Sequence, residues 1–94
     1  MKTLDEYRQK IDVIDAQLLK LFEERMHVVG KIGLYKRKKC LPIYNPQREK
    51  ENMQRMTDET KSDSIKAYVI SWYRYMMKLS RRYQEEIYMR KEEK

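Results

Sequence analysis

One apolar stripe dominates the first forty residues and restricts what the chain can become. Stepping alternately three and four residues, it runs through Leu4, Tyr7, Ile11, Ile14, Leu18, Leu21, Arg25, Val28, Ile32 and Tyr35. Nine of these ten positions are apolar or aromatic, and the spacing puts them on one side of an α-helix. No proline interrupts the segment before Pro42, so the pattern predicts a helix over about 3–40. The exception is Arg25. A guanidinium keeps its proton and is costly to bury alone, so an anionic group should meet it inside the fold. Two kinds of partner would serve: an internal carboxylate, or an anionic ligand held in the core of a helical bundle.

Such a helix is too long for a compact monomer. Some 38 residues at 1.5 Å each span about 57 Å, whereas a compact domain of 94 residues has a radius of gyration near 12 Å. Another chain covering the stripe is the expected solution, as a symmetric dimer with two long helices packed along each other. The alternative is a kink at Gly30 and Gly33 that folds the helix back. Each of these glycines weakens the helix by about 1 kcal/mol relative to Ala, which predicts a packing reason such as the close approach of another helix.

The rest of the chain reads as two shorter helices. Lys36, Arg37, Lys38 and Lys39 crowd the end of the first, where cations suit the helix dipole, and Leu41-Pro42 ends it. Asn45-Pro46 is an N-cap followed by proline at the first helical position, starting a second helix over about 46–60. Ser62 or Asp63 caps a third, over about 63–89, which carries Ile65, Val69, Trp72, Met76, Leu79 and Tyr83 at three-four spacing and frays in the 89–94 tail. Two Gly and two Pro in the chain leave little material for turns, so the expected class is all-α: one domain over 1–94, three helices per chain, assembled as an intertwined homodimeric bundle.

Composition removes several function classes. Apolar runs fall short of a membrane span, and the first residues lack a signal peptide's apolar region. The lone Cys40 forms no internal disulfide and suits a reducing cytosol. His27 is the single histidine and reads as a surface helix residue, so no metal site or metal cofactor is expected. The net charge of +7 favours anionic partners.

The cations on the first helix are placed with some specificity. Lys36 follows Arg25 by eleven residues, close to three turns, so both point the same way with Val29 and Ile32 between them. Their Cα atoms lie about 16 Å apart, and two long side chains can converge on a small molecule. Arg8 precedes Arg25 by about 25 Å along the axis. It cannot reach the same ligand in its own chain, but in an antiparallel dimer it can approach Arg25 of the other. On the third helix Ser80 and Gln84 stand one turn apart among Met76, Met77, Leu79 and Tyr83, which suggests a lined pocket or, equally, an exposed polar pair.

The ordered set Arg8-x-x-Ile11-x-x-x-Asp15, Glu24-Arg25, Gly33-x-x-Lys36, Pro42-Ile43-Tyr44-Asn45-Pro46-Gln47-Arg48-Glu49 and Ser80-x-x-x-Gln84 resembles the all-helical chorismate mutases over almost the whole chain. The resemblance implies an intertwined homodimer of three-helix chains with two equivalent sites, each taking one arginine from the partner's first helix. It implies rearrangement of chorismate to prephenate, a step of phenylalanine and tyrosine biosynthesis in the cytoplasm. That pericyclic step requires no cofactor, nucleophile or proton transfer. Carried over by motif, Arg8 of the partner, Arg25 and Arg48 would bind the substrate carboxylates. Lys36 and Gln84 would donate to the breaking ether oxygen, Glu49 would take the ring hydroxyl, and Ser80 would support a carboxylate. Asn45 stands where many bacterial members have aspartate. If the contact there is made by backbone, Asn serves as well and keeps its capping role; if the carboxylate is used, hydroxyl recognition is weaker.

Three other readings share these residues. An isochorismate-pyruvate lyase uses the same fold and a similar anionic substrate. A nucleic-acid-binding helical module would suit the charge, but the basic residues are spread over the faces and interleaved with Glu23, Glu24, Glu49 and Glu51. A structural coiled-coil adaptor would suit the heptads, but not Arg25, Lys36, Ser80 and Gln84 on inward faces.

Overall fold

A computed structural model describes residues 2–90. They form α1 (Leu4–Lys38), α2 (Pro46–Glu59), a single 3-10 turn (Asp63–Ile65) and α3 (Lys66–Met89). The three helices fall where the apolar spacing of the first and third and the Asn45-Pro46 cap of the second put them, within two residues at most boundaries. Beyond Arg90, the tail expected to fray lies outside the described residues.

Helix α1 starts on Thr3, whose hydroxyl oxygen accepts from the Glu6 N–H at 3.2 Å and whose hydroxyl donates to the Glu6 carboxylate at 3.3 Å. This satisfies a donor that the first turn leaves free. The helix ends on Lys39. Cys40 then adopts φ 56°, the left-handed region. The Leu41 N–H bonds the Lys36 carbonyl at 2.8 Å and the Cys40 N–H bonds the Arg37 carbonyl at 3.2 Å, the double closure of a Schellman motif. Helix α2 starts as expected, with Asn45 accepting from the Arg48 N–H at 3.1 Å. The expected cap of α3 is not formed. Neither Ser62 nor Asp63 caps it: Ser62 pairs with the Ser64 hydroxyl at 3.0 Å, and the 3-10 turn leads into α3 through Ile65 with no side-chain cap bond.

Helix α3 is the element against which both α1 and α2 pack. It runs parallel to the second half of α1. Arg25 meets Ser80, the Gly33 Cα faces Gln84 and Ile87, and Arg37 donates to the Ile87 carbonyl at 3.2 Å and the Arg90 carbonyl at 2.6 Å. The two glycines admit this approach. A Cβ on Gly33 would stand 3.3 Å from the Gln84 Cα, and one on Gly30 would stand 3.2 Å from the Tyr83 ring. The helix neither kinks nor folds back there; α1 is continuous, and the chain measures 58 × 31 × 14 Å.

Within one chain the long stripe is not the buried face. Val29 is 5% exposed, and with Gly30 and Gly33 it forms the buried part of α1. The first half carries the same stripe uncovered: Leu4, Tyr7, Ile11, Ile14, Leu18 and Leu21 are 42–62% exposed. The radius of gyration is 17.0 Å, well above the ~12 Å of a compact domain of this length.

Candidate active site

All three helices enclose one polar cleft of about 300 Å³. Helix α1 contributes Arg25, Val29, Ile32 and Lys36; α2 and its cap contribute Asn45, Arg48, Glu49 and Asn52; α3 contributes Met77, Ser80, Arg81 and Gln84. Arg25 and Lys36 share the cleft because eleven residues bring a helix back to nearly the same face, with Val29 and Ile32 as apolar wall between them. Seven of the eight residues expected at the site are therefore gathered in one place. The eighth, Arg8, is exposed on the uncovered half of α1 and is not among the residues lining this cleft.

The partner of Arg25 is neutral. Its Nη1 donates to the Ser80 hydroxyl oxygen, and the Ser80 hydroxyl donates in turn to the Met76 carbonyl at 2.9 Å. The serine fixes the direction of the guanidinium without neutralising it, so the remaining donors of the fork keep their positive charge for a ligand. Among the described residues Arg25 has no carboxylate partner.

Lys36 is held by the loop that follows its own helix. Its Nζ donates to the Ile43 carbonyl at 2.7 Å, a contact made possible by the sharp closure at Cys40. Burial pushes its pKa below the ordinary lysine value, and the nearby Glu49 carboxylate pulls it partly back. An anion entering the cleft would favour the charged ammonium further. On α3, Ser80 and Gln84 are both buried, which decides between the pocket and the exposed pair. The Gln84 Oε1 lacks a hydrogen-bond partner among the described residues, and so does the Oδ1 of Asn52. Two amides with unused hydrogen-bonding capacity thus line a cleft that also presents four cations, Arg25, Lys36, Arg48 and Arg81, against one carboxylate, Glu49. Such a site suits a compact dianion carrying further polar oxygens.

Asn52 and Arg81 were not anticipated from the sequence. Asn52 follows Arg48 by one helical turn, so the face of α2 implied it. Arg81 precedes Gln84 by three residues and is equally on the cleft side of α3. Its guanidinium forms an ion pair with Glu49 and lies 5.0 Å from the centre of the Tyr44 ring. A second, apolar hollow of about 450 Å³ adjoins the first and shares Arg25 with it; Leu18, Leu19, Leu21, Phe22, Trp72 and Met76 line it. No helix among the described residues is long and apolar enough to cross a membrane.

The profile of one protein family, described as chorismate mutase type II, matches residues 7–85. Among curated proteins, the T-protein of Haemophilus influenzae is 36% identical over 70 residues, covering 74% of this chain and 19% of that protein. The bifunctional chorismate mutase/prephenate dehydratase of Aquifex aeolicus is 45% identical over 51 residues, covering 54% of this chain and 14% of that protein. The chain thus spans less than a fifth of the length of these relatives.

Proposed function

We propose that this chain, because it belongs to the type II chorismate mutase family, rearranges chorismate to prephenate. The observation that carries this reading is the content of the cleft: four cations and one carboxylate around a space of about 300 Å³. Chorismate offers two carboxylates, an enolpyruvyl ether and a ring hydroxyl. Arg25 and Arg48 take carboxylates, since a guanidinium fork matches carboxylate geometry. Glu49 accepts the ring hydroxyl. Lys36 and Gln84 donate to the ether oxygen, where negative charge grows as the C–O bond lengthens. Val29, Ile32 and Met77 hold the ring and side chain in the folded conformer from which the reaction proceeds. The chemistry is unimolecular, so catalysis consists of restraint and of dipoles aimed at the developing charge. Asn45 keeps its capping bond and lines the cleft with the rest of its polar edge.

The reading extends to a cytoplasmic homodimer in which Arg8 serves the site of the other chain. The uncovered stripe supports this, as does the apolar hollow that begins at Arg25 and opens along Leu18 and Leu21. A second α1 laid antiparallel there brings its Arg8 toward Arg25.

The test is direct. Purified protein should deplete chorismate and form prephenate, and should release no pyruvate from isochorismate. Mixed Arg8→Ala and Arg25→Ala chains should regain activity on subunit exchange, because the heterodimer contains one site without a lesion. Exchange without recovery would place Arg8 outside the partner's site.

A further inference from the structure

Arg81 is the cleft cation that this scheme leaves without a role. It stands on α3 between two buried polar residues, Ser80 and Gln84, and reaches across to α2. There it meets Glu49 as an ion pair, with both side chains largely withdrawn from solvent, 30% and 21% exposed. The same guanidinium lies 5.0 Å from the centre of the Tyr44 ring, in the loop that precedes α2. One side chain therefore grips both the loop and the first turn of α2.

The need for such a grip follows from how α2 is held. The helix has no buried residue of its own, and it packs against α3 rather than α1. Yet it carries Arg48, Glu49 and Asn52, which must face Arg25 and Lys36 across the cleft. Glu49 also has a competing partner. Its carboxylate already acts on the Lys36 ammonium across the cleft, and the other charged groups that share the cleft with Lys36 are Arg25 on its own helix, Arg48 on α2 and Arg81 on α3. A carboxylate released from Arg81 would turn toward Lys36, the cation whose field it already shapes. That would withdraw the acceptor from the ring hydroxyl and quench the charge needed at the ether oxygen.

We propose that Arg81 is a positioning residue for the active site: from α3 it holds the Glu49 carboxylate on the α2 wall and keeps it apart from Lys36. The roles of Glu49 and Lys36 toward substrate rest on the reading of the site as a chorismate mutase; the separation of the two side chains is a property of the empty protein.

The experiment compares Arg81→Met, Arg81→Lys, Glu49→Gln and the double variant Arg81→Met with Glu49→Gln, each checked for wild-type helicity and thermal midpoint. In Arg81→Met, kcat/KM for chorismate should fall about tenfold, the scale of one well-placed ion pair, with part of the loss in kcat. Arg81→Lys should recover part of it. In the Glu49→Gln background the Arg81→Met penalty should nearly vanish, since no carboxylate is left to move. A nitrogen NMR titration of Lys36 Nζ in ligand-free protein supplies a readout apart from activity. Its pKa should rise in Arg81→Met, as Glu49 approaches, and should not rise in the double variant. An unmoved Lys36 titration overturns the proposal, as does an Arg81→Met penalty of equal size in both Glu49 backgrounds. A shifted titration in a protein without activity on chorismate would keep the proposal and defeat the functional reading instead.

Discussion

The two halves of α1 are built from the same kind of residue and end in different surroundings. In the second half, α3 lies against Val29, Gly30 and Gly33, and the cleft opens beside them. In the first half, Leu4, Tyr7, Ile11, Ile14, Leu18 and Leu21 carry the apolar stripe largely exposed, with Trp72 and Met76 of α3 beside only its Leu18–Leu21 end. The second half uses its small residues to bring a helix backbone close. The first presents large aliphatic side chains in heptad order, the pattern that helices use to pack along one another. The difference teaches that a single helix serves two partners: its own α3 on one face, and, on our reading, a second copy on another.

The largest expected effect comes from breaking the uncovered half. Leu18→Glu puts a charge on the stripe and beside the apolar hollow that borders Arg25. If a second chain covers this surface, the variant should lose its dimer in sedimentation at micromolar concentration and with it essentially all activity, while α3 still packs on α1 in the fragment that remains. If Leu18 is merely a solvated leucine, the variant should behave as wild type, since surface changes usually stay within about 0.5 kcal/mol.

The next test strikes the packed half without touching assembly. Lys36→Ala should keep the dimer and lose about 3 kcal/mol of transition-state stabilisation, roughly a hundredfold in kcat, the scale of removing one oxyanion donor. The intact enzyme should show the same residue in its pH profile. Burial lowers the pKa of Lys36 in the empty site, and the useful form is the protonated one. Activity should therefore fall on the alkaline side, with the limb of kcat/KM below the ordinary lysine value. A bound dianion favours the ammonium, so the limb in kcat should lie at higher pH than the limb in kcat/KM. Coincident limbs would separate Lys36 from the substrate's charge.

A smaller effect divides the two glycines. An alanine at either position gains about 1 kcal/mol of helix propensity. At Gly30 the new methyl meets the edge of the Tyr83 ring, a side chain that can shift; at Gly33 it meets the Cα and carbonyl oxygen of Gln84, which cannot. Gly33→Ala should cost about 1–2 kcal/mol by overpacking and should lower activity, because the residue displaced is Gln84. Gly30→Ala should be neutral or slightly stabilising in the same thermal melt. Equal behaviour would mean that α3 slides freely on α1.

These contrasts also mark what the sequence made legible. The three helices, the Asn45 cap and the convergence of Arg25 with Lys36 follow from spacing alone, because they are local or lie on one helix. Ser80 and Gln84 were legible as a polar pair amid apolar neighbours, although their burial was not. Gly30 and Gly33 mark in the sequence where another helix comes close; that this helix is the chain's own α3 is not legible, because small residues do not name their partner. Asn52 is legible one turn beyond Arg48 and Arg81 three residues before Gln84, but their contacts are not, because the Arg81–Glu49 pair depends on the approach of α2 to α3. The cap of α3 is not legible because the 3-10 turn over Asp63–Ile65 comes between the capping candidates and the helix.

The smallest effect lies where the packed half of α1 ends. Cys40 is exposed, so its side chain adds little packing, yet it occupies a left-handed backbone position at φ 56°. A residue with a Cβ is disfavoured there by about 1 kcal/mol relative to glycine. Against that, glycine gains freedom in the unfolded chain, which returns about half of the advantage. Cys40→Gly should therefore raise stability by about 0.5 kcal/mol, or a few degrees in thermal midpoint. Activity should be unchanged, because the turn it closes still delivers the Ile43 carbonyl to Lys36 Nζ. The alanine variant is the control: it removes the thiol, keeps the Cβ and should show none of the gain. A Cys40→Ala variant as stable as Cys40→Gly would assign the effect to the sulfur rather than to the backbone, and the Schellman closure would then not be what limits this end of the helix.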